Sequence, residues 1–92
     1  MSLNGLGRVS TFVSKSEIRS RVLEDVLRDP KTPSELAHIE NKHVSHVDRA
    51  LAELRAQGLV ETAEPISGDK RKKYYQATDL GLLIMATFTK AR

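Results

Sequence analysis

Thr32-Pro33-Ser34-Glu35-Leu36-Ala37-His38-Ile39-Glu40-Asn41-Lys42-His43-Val44-Ser45-His46-Val47-Asp48-Arg49-Ala50-Leu51-Ala52-Glu53-Leu54-Arg55-Ala56-Gln57-Gly58 reads as two helices with almost nothing between them. Thr32 and Glu35 have the spacing of a capping box, and Pro33 sits at the first helical position, where its missing N–H costs nothing. Leu36, Ala37 and Ile39 supply the buried side of this short first helix, which fades at Glu40-Asn41. Asn41 suits a left-handed turn or a new cap. The second helix runs from about His43 to Gln57. Val44, Val47, Leu51 and Leu54 recur at three-four-three spacing and form one stripe. Gly58 stops that helix, and Leu59 can pack back on it.

Outward from this pair, Ser14-Lys15-Ser16-Glu17 reads as another capping box that starts a helix over 14–29. Ile18, Val22, Leu23, Val26 and Leu27 form its apolar face, and Asp29-Pro30 ends it. Residues 1–13 are a leading segment. Leu6, Val9, Phe12 and Val13 have helical spacing, but Gly5 and Gly7 weaken it, so a short packed helix and a frayed tail both remain open. Past Gly58 the period changes. Leu59 to Ala63 reads as a strand, Pro65 to Asp69 as a turn and Lys73 to Ala77 as the returning strand, together a hairpin over 59–77. Tyr74 and Tyr75 alternate across it, one inward and one outward. Thr78-Asp79 then caps a last helix over 78–90, with Leu80, Leu83, Ile84 and Phe88 as its stripe.

Ninety-two residues fit one small domain, 1–92. The fold class expected is mostly α with a small β-hairpin (α+β): a three-helix core with a helix-turn-helix at 32–57, then a wing and a C-terminal helix. The absence of cysteine excludes disulfides, thiolate metal sites and a cysteine nucleophile. The run Leu80 to Ala86 is far shorter than a membrane span, and Met1 to Gly5 lacks a signal-peptide pattern, so a soluble cytoplasmic protein with no membrane partner is expected.

Charge is informative once divided. Residues 1–64 carry nine Lys/Arg against ten Asp/Glu, whereas residues 65–92 carry six against two. The excess centres on Lys70-Arg71-Lys72-Lys73, at the hairpin tip and its returning arm. Such a cluster is either a solvated turn or a contact for a polyanion. Two helices joined by a turn at Asn41-Lys42 have the layout in which the second helix enters a DNA major groove. A basic hairpin beside it would hold backbone phosphates.

The stretches Pro30 to Ala37, Ser45 to Leu54, Gly58 to Glu61 and Tyr74 to Gly81 resemble archaeal winged-helix transcriptional regulators, which are related in fold to the MarR and ArsR groups. The resemblance covers about residues 12–88. It implies double-stranded DNA as the partner; a homodimer is expected on the separate ground of the last helix, whose second apolar side calls for a partner surface. It places the base-reading helix on His43 to Gln57, the exposed early positions on His43, Ser45, His46 and Arg49, and the wing on Ile66 to Lys73. Two positions depart from the family pattern. Asp48 stands where an uncharged residue is common, and His43 stands where a serine or threonine cap is common.

The DNA-binding residues expected are therefore Lys42, His43, Ser45, His46, Arg49, Lys70, Arg71, Lys72 and Lys73. Arg49 leads, because arginine pairs bidentately with guanine; its competing role is an ion pair with Glu53 one turn on. The last helix is apolar on more than one side, so Leu82, Met85 and Phe88, with Phe12, are expected at a dimer interface, unless the N-terminal segment covers that face within one chain. No metal and no cofactor is expected; His38, His43 and His46 are the alternative metal ligands, without a thiolate or a carboxylate pair in register. No enzyme is expected either. Adjacent positions on a helix point about 100° apart, so Ser45, His46 and Asp48 cannot form a nucleophile–base–orienter chain, and Gly5-Leu6-Gly7 is no phosphate loop. The alternative function is a winged-helix module that binds protein in a larger assembly, in keeping with the small net charge of +3 and with Asp48 and Glu53 near the reading face.

Overall fold

A computed structural model describes the backbone of residues 3–64 and 72–90 and the side chains of residues 7–64 and 72–87. In chain order the elements are α1 (Leu3–Ser14), α2 (Glu17–Arg28), α3 (Pro33–Glu40), α4 (Val44–Ala56), β1 (Val60–Ala63), β2 (Tyr74–Ala77) and α5 (Asp79–Lys90). This is a winged helix-turn-helix, with five helices and one antiparallel hairpin among the described residues.

The leading segment is helical, the first of the two readings its sequence leaves open. It runs through Ser14, which displaces the cap expected there. Ser16 caps α2 instead and accepts from the Arg19 N–H at 3.3 Å, because only two residues separate the helices. The capping box on α3 forms as its spacing predicts. Thr32 Oγ1 accepts from the Glu35 N–H at 3.2 Å, and the Thr32 N–H donates to Glu35 Oε1 at 2.8 Å. Asn41 then turns the chain at φ 54°, with its N–H on the His38 carbonyl and that of Lys42 on the Ala37 carbonyl. Only Lys42 and His43 then separate Asn41 from the start of α4. His43 precedes it with no side-chain cap. At its far end Gly58, at φ 74°, lets the Gly58 and Leu59 N–H groups close on the Arg55 and Leu54 carbonyls.

The core gathers Val22, Leu23 and Val26 of α2, Leu36 and Ala37 of α3, and Val47, Leu51 and Leu54 of α4 around Leu59, Val60 and Ile84. Three positions expected inside are exposed: Ile39, Val44 and Leu83. Ile39 lies roughly 110° round α3 from the middle of its buried face. Val44 is the first residue of α4, one turn ahead of Val47, where burial begins. On α5 the buried side is Leu80, Gly81, Ile84 and Met85, and Leu83 falls opposite with Leu82. Gly81 sets that rotation. A Cβ on it would lie 2.4 Å from the Leu59 carbonyl oxygen, so only glycine lets α5 approach the α4–β1 turn.

In the hairpin, Val60 pairs with Ala77 and Ala63 with Tyr74. Tyr74 is buried, and Tyr75 is half-buried against the core. Tyr75 also forms an antiparallel bridge to Lys31, a third strand position absent from the sequence expectation.

Candidate nucleic-acid interface

α4 turns four core residues inward, Val47, Ala50, Leu51 and Leu54. The 3.6-residue period then leaves Ser45, His46, Asp48, Arg49 and Ala52 outward, and all five are exposed. Lys42 and His43, on the turn before it, are exposed as well. The ring of His43 meets that of His46 edge to face, centroids 5.7 Å apart. The structure thus brings Lys42, His43, Ser45, His46 and Arg49 onto one outward patch at the start of α4. Among the described residues, no three His, Asp or Glu groups are placed to hold a metal ion.

Lys72 and Lys73 lead into β2, and both are exposed. Lys70 and Arg71 lie outside the described residues. Between β2 and α4 runs an open groove of about 750 Å³, lined by Pro33, Asp48, Ala52, Arg55, Lys73 and Tyr75 among others. The groove joins the returning strand of the hairpin to one flank of α4. Arg55 is the cation here that the expected site omits. Its signal is the i, i+4, i+7 spacing of Asp48, Ala52 and Arg55, a stripe beside the buried one.

A second, smaller hollow of about 260 Å³ lies on the other flank, between the start of α2 and α4, lined by Ser16, Arg19, His46, Arg49 and Glu53. Arg19 Nε donates to Glu53 Oε1 at 3.0 Å, and Glu53 Oε2 stands 3.8 Å from Arg49 Nε. The hydrogen bond from Arg19 holds the Glu53 carboxyl below the ordinary carboxylate range, and the charge of Arg49 adds to it. Arg49 remains 82% exposed, so its guanidinium is available to a ligand.

The residues expected at a dimer interface do not share one surface. Met85 is buried in the core at 8% exposure, and Phe12 packs against the core under the Arg19 guanidinium. Both are accounted for within one chain, the alternative that the sequence leaves open. Leu82 is 55% exposed. The Phe88 side chain lies outside the described residues. No helix among the described residues is long and apolar enough to cross a membrane.

Neither a family model nor a curated protein sequence matches the chain. Solved structures do match. NolR from Sinorhizobium fredii superimposes with a TM-score of 0.77 at 21% identity, over 94% of this chain and 83% of that one. A mutant of Lactococcus lactis ZitR gives 0.75 at 16% identity, over 82% of this chain and 51% of its own. The complex of S. aureus MepR with DNA gives 0.73 at 19% identity, over 82% and 62%. The chain therefore spans about half of ZitR and less than two thirds of MepR. Of these structures, ZitR and MepR are MarR-family winged-helix transcriptional regulators. None of these three comes from an archaeon, so the archaeal part of the sequence resemblance gains no support from them.

Proposed function

We propose that this chain binds double-stranded DNA in the cytoplasm and regulates transcription, with α4 in the major groove and the basic hairpin on the phosphate backbone. The observation that carries this reading is the groove between α4 and Lys73: the Asp48, Ala52 and Arg55 flank of the helix and the cationic arm line one concavity. A duplex seated on α4 would meet Lys42, His43, Ser45, His46 and Arg49 first, and Lys72 and Lys73 beside it. Lys70 and Arg71 extend the same cationic run in sequence. Arg49 is the base-reading candidate, and the lysines supply affinity without sequence choice. Asp48, on the groove wall, would repel phosphate but can accept from a cytosine amino group.

A twofold homodimer would place two copies of α4 on half-sites about one DNA turn apart. Its contact surface would centre on Leu82 with Leu83, rather than on Met85 or Phe12, which the chain itself covers.

Titration with duplexes selected from a random pool, across a range of salt, tests the reading. Affinity should fall steeply with salt. Neutralising Lys72 and Lys73 should reduce the log–log slope by about 2, from roughly 0.9 per phosphate contact. Arg49→Ala should cost about 1–3 kcal/mol of preference at one base pair. Binding that ignores salt, or no binding to any duplex, would overturn the proposal in favour of a protein-interaction module.

A further inference from the structure

The ion-pair chain on the α2 flank of α4 serves more than packing. Phe12, in the last turn of α1, fixes Arg19 twice: its ring lies 3.9 Å beneath the guanidinium carbon, and its carbonyl accepts from Nη1 at 2.9 Å. Arg19, so held, directs its Nε at Glu53 Oε1. A carboxylate has two oxygens, and this one is shared unequally. Oε1 is hydrogen-bonded to a mostly buried arginine, whereas Oε2 faces the exposed Arg49 at 3.8 Å, beyond hydrogen-bond length but within Coulomb range. His46 and Ser16 line the same hollow.

We infer that Glu53 is a positioning residue for Arg49, and that Arg19 sets its grip. With Arg19 in place, Glu53 spends one oxygen on a fixed partner and holds Arg49 loosely over the α4 face. Without Arg19, the full carboxylate charge turns to Arg49. The i,i+4 pair then shortens to a hydrogen bond, and a duplex must compete with Glu53 for the guanidinium. The inference rests on the DNA-binding reading above and names two residues, Arg19 and Glu53, that touch no DNA in it.

The test is a double-mutant cycle of Arg19→Met and Glu53→Gln. It is read in two ways: by fluorescence anisotropy with a duplex selected on the wild-type protein, and by the ¹⁵N–¹H signal of Arg49 Nε in the free protein. Arg19→Met should weaken duplex binding about two- to fivefold, the range of exposed ion pairs. In the Glu53→Gln background the same change should have almost no effect, because the competing carboxylate is gone. Arg19→Lys should recover part of the affinity, and the coupling should shrink at high salt. The Arg49 Nε signal should move on Arg19→Met and stay in place when Glu53 is already glutamine. Should Arg19→Met fail to fold, Arg19→Gln carries the same cycle. Equal losses in both backgrounds, or an Arg49 signal that does not respond to Arg19, would overturn the inference. Because the NMR readout needs no DNA, a chain that binds no duplex would sink the functional reading and leave this one measurable.

Discussion

Lys31 and Tyr75 hold each other through their backbones: the Lys31 N–H donates to the Tyr75 carbonyl at 3.0 Å, and the Tyr75 N–H donates to the Lys31 carbonyl at 2.8 Å. Lys31 immediately precedes the Thr32 cap of α3, and Tyr75 sits in β2, two residues after Lys73. The returning arm of the hairpin is therefore attached to the base of the helix-turn-helix, not only to β1. This attachment places Lys73 against the flank of α4 and makes the groove a property of the backbone.

Tyr75→Pro should loosen that attachment selectively. Both backbone groups of Tyr75 are engaged with Lys31, so proline removes the N–H that reaches Lys31. The loss should be about 0.5–1.5 kcal/mol for the hydrogen bond, on top of what the half-buried Tyr75 ring contributes to the core, which Tyr75→Ala measures separately. Urea unfolding would measure it. Duplex affinity should drop with the helical circular dichroism intact. Unchanged affinity in a folded variant would show that the bridge does not position the basic arm.

Local chemistry was legible in the sequence, and contact between distant residues was not. Thr32 with Glu35, Asn41 and Gly58 each act on backbone within a few residues, so spacing alone identifies them. Ser14 misled because Ser16 offers the same hydroxyl two residues later, and only the length of α1 decides between them. α5 misled for a different reason. Leu80, Leu82, Leu83, Ile84 and Met85 are all apolar, so periodicity does not say which side faces in. Its rotation follows from Gly81 against the Leu59 carbonyl, a contact 22 residues apart in sequence. In the site, the Arg49–Glu53 pair was readable at i,i+4, whereas Arg19 lies 34 residues from Glu53. The Lys31–Tyr75 bridge joins backbones and leaves no side-chain signature at all.

Gly81→Ala should be among the most damaging single-methyl changes in the chain. The new Cβ would stand 2.4 Å from the Leu59 carbonyl oxygen and 3.2 Å from Leu23 Cδ1. The Leu59 oxygen cannot retreat easily, because it also accepts from the Thr78 N–H at 3.0 Å, and Thr78 in turn caps α5 by accepting from the Gly81 N–H. An exposed glycine in a helix would gain stability on becoming alanine, by about 1 kcal/mol. Here overpacking should win by about 1–3 kcal/mol. Thermal unfolding decides the sign. A variant more stable than wild type would mean that α5 can slide away from Leu59.

His43→Ser should separate stability from binding. His43 occupies the N-cap of α4 but contributes no side-chain hydrogen bond to the helix. Serine there can accept from a first-turn N–H and should stabilise the chain by roughly 0.5–1 kcal/mol. The same change removes an imidazole from the exposed patch next to His46 and should weaken duplex binding. A higher melting temperature together with lower affinity is the expected pair of results. A rise in both would remove His43 from the binding face.

Behind the helix-turn-helix, Asp25 of α2 lies against Glu40, the last residue of α3, and its ionisation should shape how stability varies with pH. Burial is the main cause that lifts its carboxyl from 3.8 to about 7; the hydrogen bond and charge of Glu40 add to this, Glu24 adds a little, and Lys31 opposes it. Asp25 Oδ2 is buried and has no hydrogen-bond partner among the described residues, which disfavours the ionised carboxylate. Glu40 also faces Arg21 at 3.6 Å. An acid that keeps its proton to higher pH in the folded chain than in the unfolded one favours the folded state while both forms are protonated. That contribution fades as pH rises from about 4, where the unfolded carboxyl ionises, to about 7, where the folded one does. The melting temperature of the wild type should therefore fall across this window relative to Asp25→Asn, which carries no titrating proton. Above pH 7 the asparagine variant should be the more stable of the two. Parallel curves for the two proteins would show that Asp25 is not the group responsible.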